Sequence, residues 1–115
     1  MENENIYPEL LDYIYDYQAN FMTKDERLAD NMHRYNPDTI PPWLLEIKRK
    51  TGQYSDDERI KNMLSDGFDV FRRRVAERIY NEHRKELQLN LCPKCHKIAR
   101  TPLAKQCRIC FHNWH

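Results

Sequence analysis

Four cysteines in the last quarter of the sequence constrain this chain more than any other feature. They stand as Cys92-x2-Cys95, eleven intervening residues, and Cys107-x2-Cys110. A C-x2-C turn carries two sulfurs to one side of a short loop. Two such turns supply the four corners of a tetrahedron with metal–sulfur distances of about 2.3 Å. In a reducing compartment the pairs point to one structural Zn2+ held by Cys92, Cys95, Cys107 and Cys110 rather than to disulfides. Four bound thiolates leave no open position for water or substrate, so such a site staples a fold and hydrolyses nothing. A redox pair at Cys92 and Cys95 would need a surrounding βαβ pattern, which is missing. A two-Cys, two-His arrangement through His112 and His115 would abandon Cys107 and Cys110, with only two residues between the histidines.

The gap of eleven residues is shorter than the commonest spacing but admits a small β-hairpin. Residues 97–100 would leave the first turn as a strand, 101–103 would reverse the chain, and 104–106 would return. The whole segment LCPKCHKIARTPLAKQCRICFHNWH resembles a zinc ribbon with rubredoxin-type knuckles, a likeness that covers about 24 of the 115 residues. The usual knuckle is C-P-x-C-G, which Cys92-Pro93-Lys94-Cys95 matches through its second Cys. His96 and Phe111 stand where Gly is usual, so either they adopt a positive φ or the turns differ. Residues 1–90 resemble no particular family. Ribbons serve nucleic-acid binding and protein contacts alike, so the resemblance leaves both open.

Charge is unevenly placed although the formal net is only +1. Residues 1–40 hold nine acids and three bases, residues 41–115 nine acids and sixteen bases. Within 91–115, Lys94, Lys97, Arg100, Lys105 and Arg108 meet no acid at all. With Phe111 and Trp114 beside them, these cations form the combination that grips phosphates and stacks bases. Lys94, Lys97, Arg100, Lys105, Arg108 and Trp114 are therefore the candidate nucleic-acid contacts. Against this, a four-thiolate zinc site carries a formal −2 that nearby cations offset, and Trp114 can serve as the mini-core of a module too small to have another.

The rest of the chain reads as helices. Leu10, Leu11, Ile14 and Tyr15 recur at helical steps behind Pro8 and continue towards Phe21 and Met22. Tyr7, Tyr13, Tyr15, Tyr17 and Tyr35 make an aromatic, acidic face that is either a partner-binding surface or ordinary helix packing. Helical spacing resumes at Asp25 and runs to Met32, before a break at Asn36, Pro37 and Asp38. A short helix is expected from the prolines at 41 and 42 to the stop at Thr51 and Gly52, with Trp43 as a core anchor and Lys48, Arg49 and Lys50 at its C-terminus. Ser55 and Glu58 form a capping-box pattern that starts a helix at Asp56. From there Ile60, Met63, Leu64, Phe68, Phe71, Val75, Ile79 and Leu87 mark one long helix through Gly67. Its arginines, Arg72, Arg73, Arg74, Arg78 and Arg84, lie within a turn of acids, so that they solvate a face as readily as they bind phosphate.

The expected fold is mainly α with a small zinc-stapled β module: about three helices, the last long, followed by a C-terminal zinc ribbon, with a helical domain at 1–90 and the ribbon at 91–115. Two glycines exclude Gly-rich phosphate loops. No apolar run is long enough to cross a bilayer, and the acidic start lacks a signal-peptide pattern, so a cytoplasmic protein with no membrane partner is expected. No paired-carboxylate or Ser/His/Asp arrangement is present, and His33 and His83 are isolated, so neither an enzyme nor a small-molecule substrate is expected. Two functions remain: a nucleic-acid-binding accessory or regulatory factor working through the basic C-terminal half, or a protein-interaction or inhibitor module using the acidic, Tyr-rich helices with zinc purely structural.

Overall fold

Five α-helices are present among the described residues of the computed structural model, which are 6–34 and 39–115. Helix α1 spans Pro8–Tyr17. Tyr7 precedes it in an extended conformation, and Pro8 presets φ for the first turn, where a missing N–H costs nothing. Its apolar positions bury Leu10, Leu11, Tyr13, Ile14 and Tyr15. The helix stops at Gln18, short of the expected Met22, and a 3-10 turn covers Ala19–Phe21.

Helix α2 spans Lys24–Arg34. It starts with a capping box absent from the sequence reading: Thr23 Oγ1 accepts from the Glu26 N–H at 3.1 Å, and Glu26 Oε1 accepts from the Thr23 N–H at 2.8 Å. The break expected at Asn36, Pro37 and Asp38, with Tyr35, lies outside the described residues.

Helix α3 spans Pro42–Lys50, as its prolines and stop signal require. Gly52, at φ 77°, ends it in the left-handed conformation. The Gln53 N–H then reaches back to the Lys48 carbonyl at 2.8 Å and the Gly52 N–H to that of Arg49 at 3.3 Å, closing the last turn over the helix end. Trp43 is not a core anchor: it is 65% exposed, because α3 turns Trp43 and Ile47 outward and buries the stem of Lys48.

The single long helix is two. Helix α4 spans Glu58–Met63 and α5 spans Phe68–His83, followed by a 3-10 turn at Arg84–Glu86. Ser65 separates them by bonding the Asn62 carbonyl through both its N–H, at 3.2 Å, and its hydroxyl, at 2.7 Å. Gly67 follows at φ 100°, a value an α-helix cannot continue through. The start also shifts. Asp57 is the N-cap and accepts from the Arg59 N–H at 2.9 Å, while Ser55 accepts from the Asp57 N–H at 3.0 Å instead of closing a box with Glu58.

Two compact units divide the chain, one running to Phe21 and resuming over Arg73–His115, the other Met22–Arg72. In the second unit α2 packs on α4. Ala29, Met32, Ile60 and Phe71 are buried there, and the His33 ring stacks on Phe68 with centroids 3.7 Å apart. In the first unit the buried set is the apolar face of α1, Val75, Ala76, Ile79 and Tyr80 of α5, and Cys92, Ile98, Ala99 and Cys107. Removing each large apolar side chain from water stabilises the fold by roughly 1.5–3 kcal/mol. Among the described residues no helix is long and apolar enough to cross a membrane.

No strand is formed among the described residues, which corrects the expected β module. The chain does reverse at 101–103, where the Ala104 N–H bonds the Thr101 carbonyl at 3.2 Å. The flanking backbone is already committed. The Lys97 carbonyl accepts from Cys92, the Ala99 N–H donates to Asn90, and the Lys105 carbonyl accepts from Trp114. Two isolated antiparallel bridges, Leu91 with Ile98 and Gln106 with Asn113, take the place of a hairpin between the cysteine pairs.

Candidate metal centre

Each cysteine pair sits on a loop of the same backbone design, fifteen residues apart. In the first, the Cys92 N–H bonds the Lys97 carbonyl at 2.8 Å and the His96 N–H bonds the Cys92 carbonyl at 2.9 Å. In the second, Cys107 bonds the His112 carbonyl at 2.8 Å and Phe111 bonds the Cys107 carbonyl at 3.0 Å. His96 and Phe111 both lie at φ 65°, so these non-glycine residues do occupy the left-handed position of each turn. The closing bonds also correspond: Ala99 to Asn90 at 2.8 Å, and Trp114 to Lys105 at 2.9 Å. Among aligned positions of the two loops only the cysteines are identical, so the likeness is a property of the backbone and not of the side chains.

The four Sγ atoms lie within 4.8 Å of one another. Cys92 and Cys110 are 3.7 Å apart and Cys95 and Cys107 3.5 Å, too long for disulfides and close to the roughly 3.8 Å edge of a tetrahedron with 2.3 Å metal–sulfur bonds. Backbone N–H groups support the inner sulfur of each pair. Lys94 and Cys95 donate to Cys92 Sγ at 3.3 and 3.5 Å, while Ile109 and Cys110 donate to Cys107 Sγ, each at 3.3 Å. The cluster fits one metal ion with four sulfur ligands. Cys92 and Cys107 are buried, Cys95 and Cys110 half-buried.

The thiols respond unequally to this crowding. Burial raises the Cys107 thiol, but the N–H groups of Cys110 and Ile109 and the thiols of Cys95 and Cys110 outweigh it, drawing it down to about 6. Burial likewise opposes ionisation of Cys92, and N–H groups from Cys95 and Lys94 again prevail to lower it. The Lys97 N–H favours the Cys95 thiolate, yet burial and its three thiol neighbours push Cys95 up to about 12. Four adjacent thiolates need a cation to offset their charge.

Residues flanking the helices anchor the first loop and the segment after it. The Ile98 N–H donates to the Tyr7 hydroxyl at 2.7 Å, and Lys97 Nζ lies 4.5 Å from the centre of the Tyr7 ring. Burial raises the Tyr7 hydroxyl, opposed by the Ile98 N–H and reinforced by Glu9, Cys95 and Tyr80, so it stays protonated. Asn90 Nδ2 donates to the carbonyls of Thr101 at 2.9 Å and Ala104 at 2.8 Å, pinning the segment between the pairs. The Gln88 carbonyl accepts from Gln18 Nε2 at 3.0 Å and Tyr13 Oη at 3.4 Å. Neither Tyr7 nor Asn90 emerged from the sequence as part of this centre, because their partners are backbone groups and leave no side-chain signature.

The candidate nucleic-acid contacts separate. Lys94 and Lys97 are exposed on the first loop, Lys97 beside Tyr7. Arg100, Lys105 and Arg108 line a single open hollow of about 500 Å3 with Phe111 and His115. Trp114 is half-buried, with its ring stacked 6.2 Å from that of His112, whereas Phe111 is 72% exposed. Helix arginines are more engaged: Arg78 pairs with Glu82 at 3.0 Å and donates to the Phe21 carbonyl at 2.9 Å, and Arg84 lies 4.7 Å from the Tyr80 ring centre. At the end of α3, Arg49 pairs with Asp56 at 2.9 Å and Lys48 Nζ reaches Gln53 at 3.4 Å. Of the tyrosine face, Tyr13 and Tyr15 are buried and Tyr17 is 44% exposed. Comparison with family models, with curated proteins and with solved structures finds no match to this chain.

Proposed function

We propose that this chain is a non-enzymatic, cytoplasmic nucleic-acid-binding protein whose basic C-terminal module, a zinc ribbon in its ligand pattern, is stapled by one structural Zn2+ on Cys92, Cys95, Cys107 and Cys110. The observation that carries the reading is a set of cations without carboxylate partners, more numerous than the formal −2 of a four-thiolate zinc site can offset. Lys94, Arg100, Lys105 and Arg108 make no ion pair among the described residues, in a segment that contains no acid. Cations of this kind release counterions when they meet a phosphate backbone, whereas the paired cations of α3 and α5 would first have to leave their acids. Four sulfurs in tetrahedral spacing favour zinc or iron, and a structural role in a small module favours zinc. A colourless protein with one zinc per chain is the expected composition.

Fluorescence anisotropy of the zinc-loaded full chain with mixed-sequence single-stranded RNA, single-stranded DNA and duplex DNA tests this across a salt series. Micromolar binding with a steep salt slope is expected, reduced more than tenfold in the combined Arg100→Glu, Lys105→Glu and Arg108→Glu variant. Absence of binding at low salt would sink it. The remaining reading would be a protein partner on the acidic face of α1, a weaker candidate because Tyr13 and Tyr15 are spent on the core.

A further inference from the structure

The second cysteine loop carries more than unpaired charge. We propose that the hollow between Arg100, Lys105, Arg108 and Phe111 is a subsite for one nucleotide of a single-stranded nucleic acid, its base stacked on Phe111 and its phosphate held by the cations. This rests on the nucleic-acid reading above and names the element recognised.

Three observations converge on it. Arg108 Nε is out of contact with solvent and has no hydrogen-bond partner, and the side chain makes no ion pair among the described residues. Turning this guanidinium into the hollow therefore breaks no existing bond, and a phosphate there would accept two N–H groups from one planar fork. Arg100 and Lys105 line the same hollow, so the anion meets converging charge rather than a single surface cation. Phe111 supplies the third element. It is 72% exposed although the left-handed φ of 65° at this position favours glycine. An apolar ring held open to solvent at a strained position, at the edge of a cationic hollow, offers a base its face. Duplex bases keep both faces stacked, so the occupant is a single strand. The hollow's volume of about 500 Å3 lies within the roughly 300–1,000 Å3 range of sites that hold small organic groups.

The test uses the zinc-loaded full chain and fluorescein-labelled oligo(dT) of twelve nucleotides, beside a twelve-unit abasic strand with the same number of phosphates. Wild type should prefer the base-bearing strand by about 5- to 150-fold, the range of one stacked base. Phe111→Gly removes the ring while suiting the backbone, so zinc stoichiometry is retained, and it should bring that preference close to one without changing the salt slope. Arg108→Gln should weaken both strands alike and make the slope shallower by about 0.7. Lys94→Gln, on the other loop, should weaken binding while leaving the preference for bases intact.

Equal binding of both strands by wild type, or an unchanged preference in Phe111→Gly, would overturn the subsite while leaving a phosphate-binding basic surface in place. Failure of every strand to bind would overturn both the subsite and the function it rests on. Displacement of the oligonucleotide by thymidine monophosphate at equal nucleotide concentration would make this a pocket for free nucleotides and overturn the strand as its occupant.

Discussion

The two cysteine loops share one backbone and differ in almost everything attached to it. The first is tied down. Tyr7 accepts from Ile98 at 2.7 Å and sits under Lys97, while Ile98 and Ala99 are fully buried. The second is presented. At the positions equivalent to Ile98 and Ala99 stand Asn113, exposed, and Trp114, half-buried, and the loop displays Phe111. Metal coordination demands the same turn twice, because each pair must point two sulfurs at one ion. It makes no demand on the outward side chains. One copy is thus free to hold the module on the helical scaffold while the other leaves its side chains outward, beside the hollow that Arg100, Lys105 and Arg108 line.

The largest expected effect treats the loops alike. Cys92→Ser and Cys107→Ser should each weaken metal affinity by more than the roughly 10- to 100-fold typical of supporting-shell changes, as read by competition with a chromophoric chelator. Unequal losses would show that one loop dominates the site. Affinity in the intact protein should rise with pH. The metal must displace protons from thiols such as Cys95, pushed up to about 12, so lowering the pH lets protons compete.

An intermediate effect should separate the loops. Tyr7→Phe leaves the Ile98 N–H without its acceptor and should lower stability by about 1–3 kcal/mol in thermal unfolding of the zinc-loaded chain. Hydrogen exchange should accelerate at Ile98 and not at Asn113. Equal acceleration at both would mean that the loops open as one piece and that the anchoring belongs to the whole module.

The smallest effect should again be shared. His96→Gly and Phe111→Gly each relieve a non-glycine residue at φ 65° and remove an exposed side chain. Each should raise the stability of the metal-loaded protein by about 0.5–1 kcal/mol in denaturant unfolding. If Phe111→Gly destabilises while His96→Gly stabilises, the Phe111 ring contributes packing to the fold, and its exposure has a structural reason.

Where the signal was local, the residues alone were sufficient. The cysteine spacing placed four sulfurs in one cluster, the prolines at 41 and 42 and Gly52 bounded α3, and Pro8 with its apolar repeat located α1. At positions 96 and 111 the knuckle pattern left two outcomes, a positive φ on a non-glycine residue or a different turn, and both residues take the former at 65°. Where two local signals competed, one overrode the other. A continuous apolar period ran across Gly67, and the Ser65 hydroxyl bond to the Asn62 carbonyl, with a φ of 100° two residues on, ended the helix that the period seemed to extend. Thr23 and Glu26 spelled a capping box as clearly as Ser55 and Glu58, yet only the former pair closed, because Asp57 offered a nearer cap for the latter helix.

Residue identities were enough for the four-cysteine spacing, the helical character of most of the chain and the absence of acids from the last twenty-five residues. Tertiary structure alone decided which tyrosines were buried, that Trp43 faces solvent, that Tyr7 reaches Ile98 across ninety-one positions, and that Arg100, Lys105 and Arg108 share one hollow. The reason is physical. Turn and helix preferences act over a few residues and are written in their identities, whereas burial and convergence depend on what arrives from a distant part of the chain, and backbone acceptors and donors, which do much of the joining here, are the same for every residue but proline.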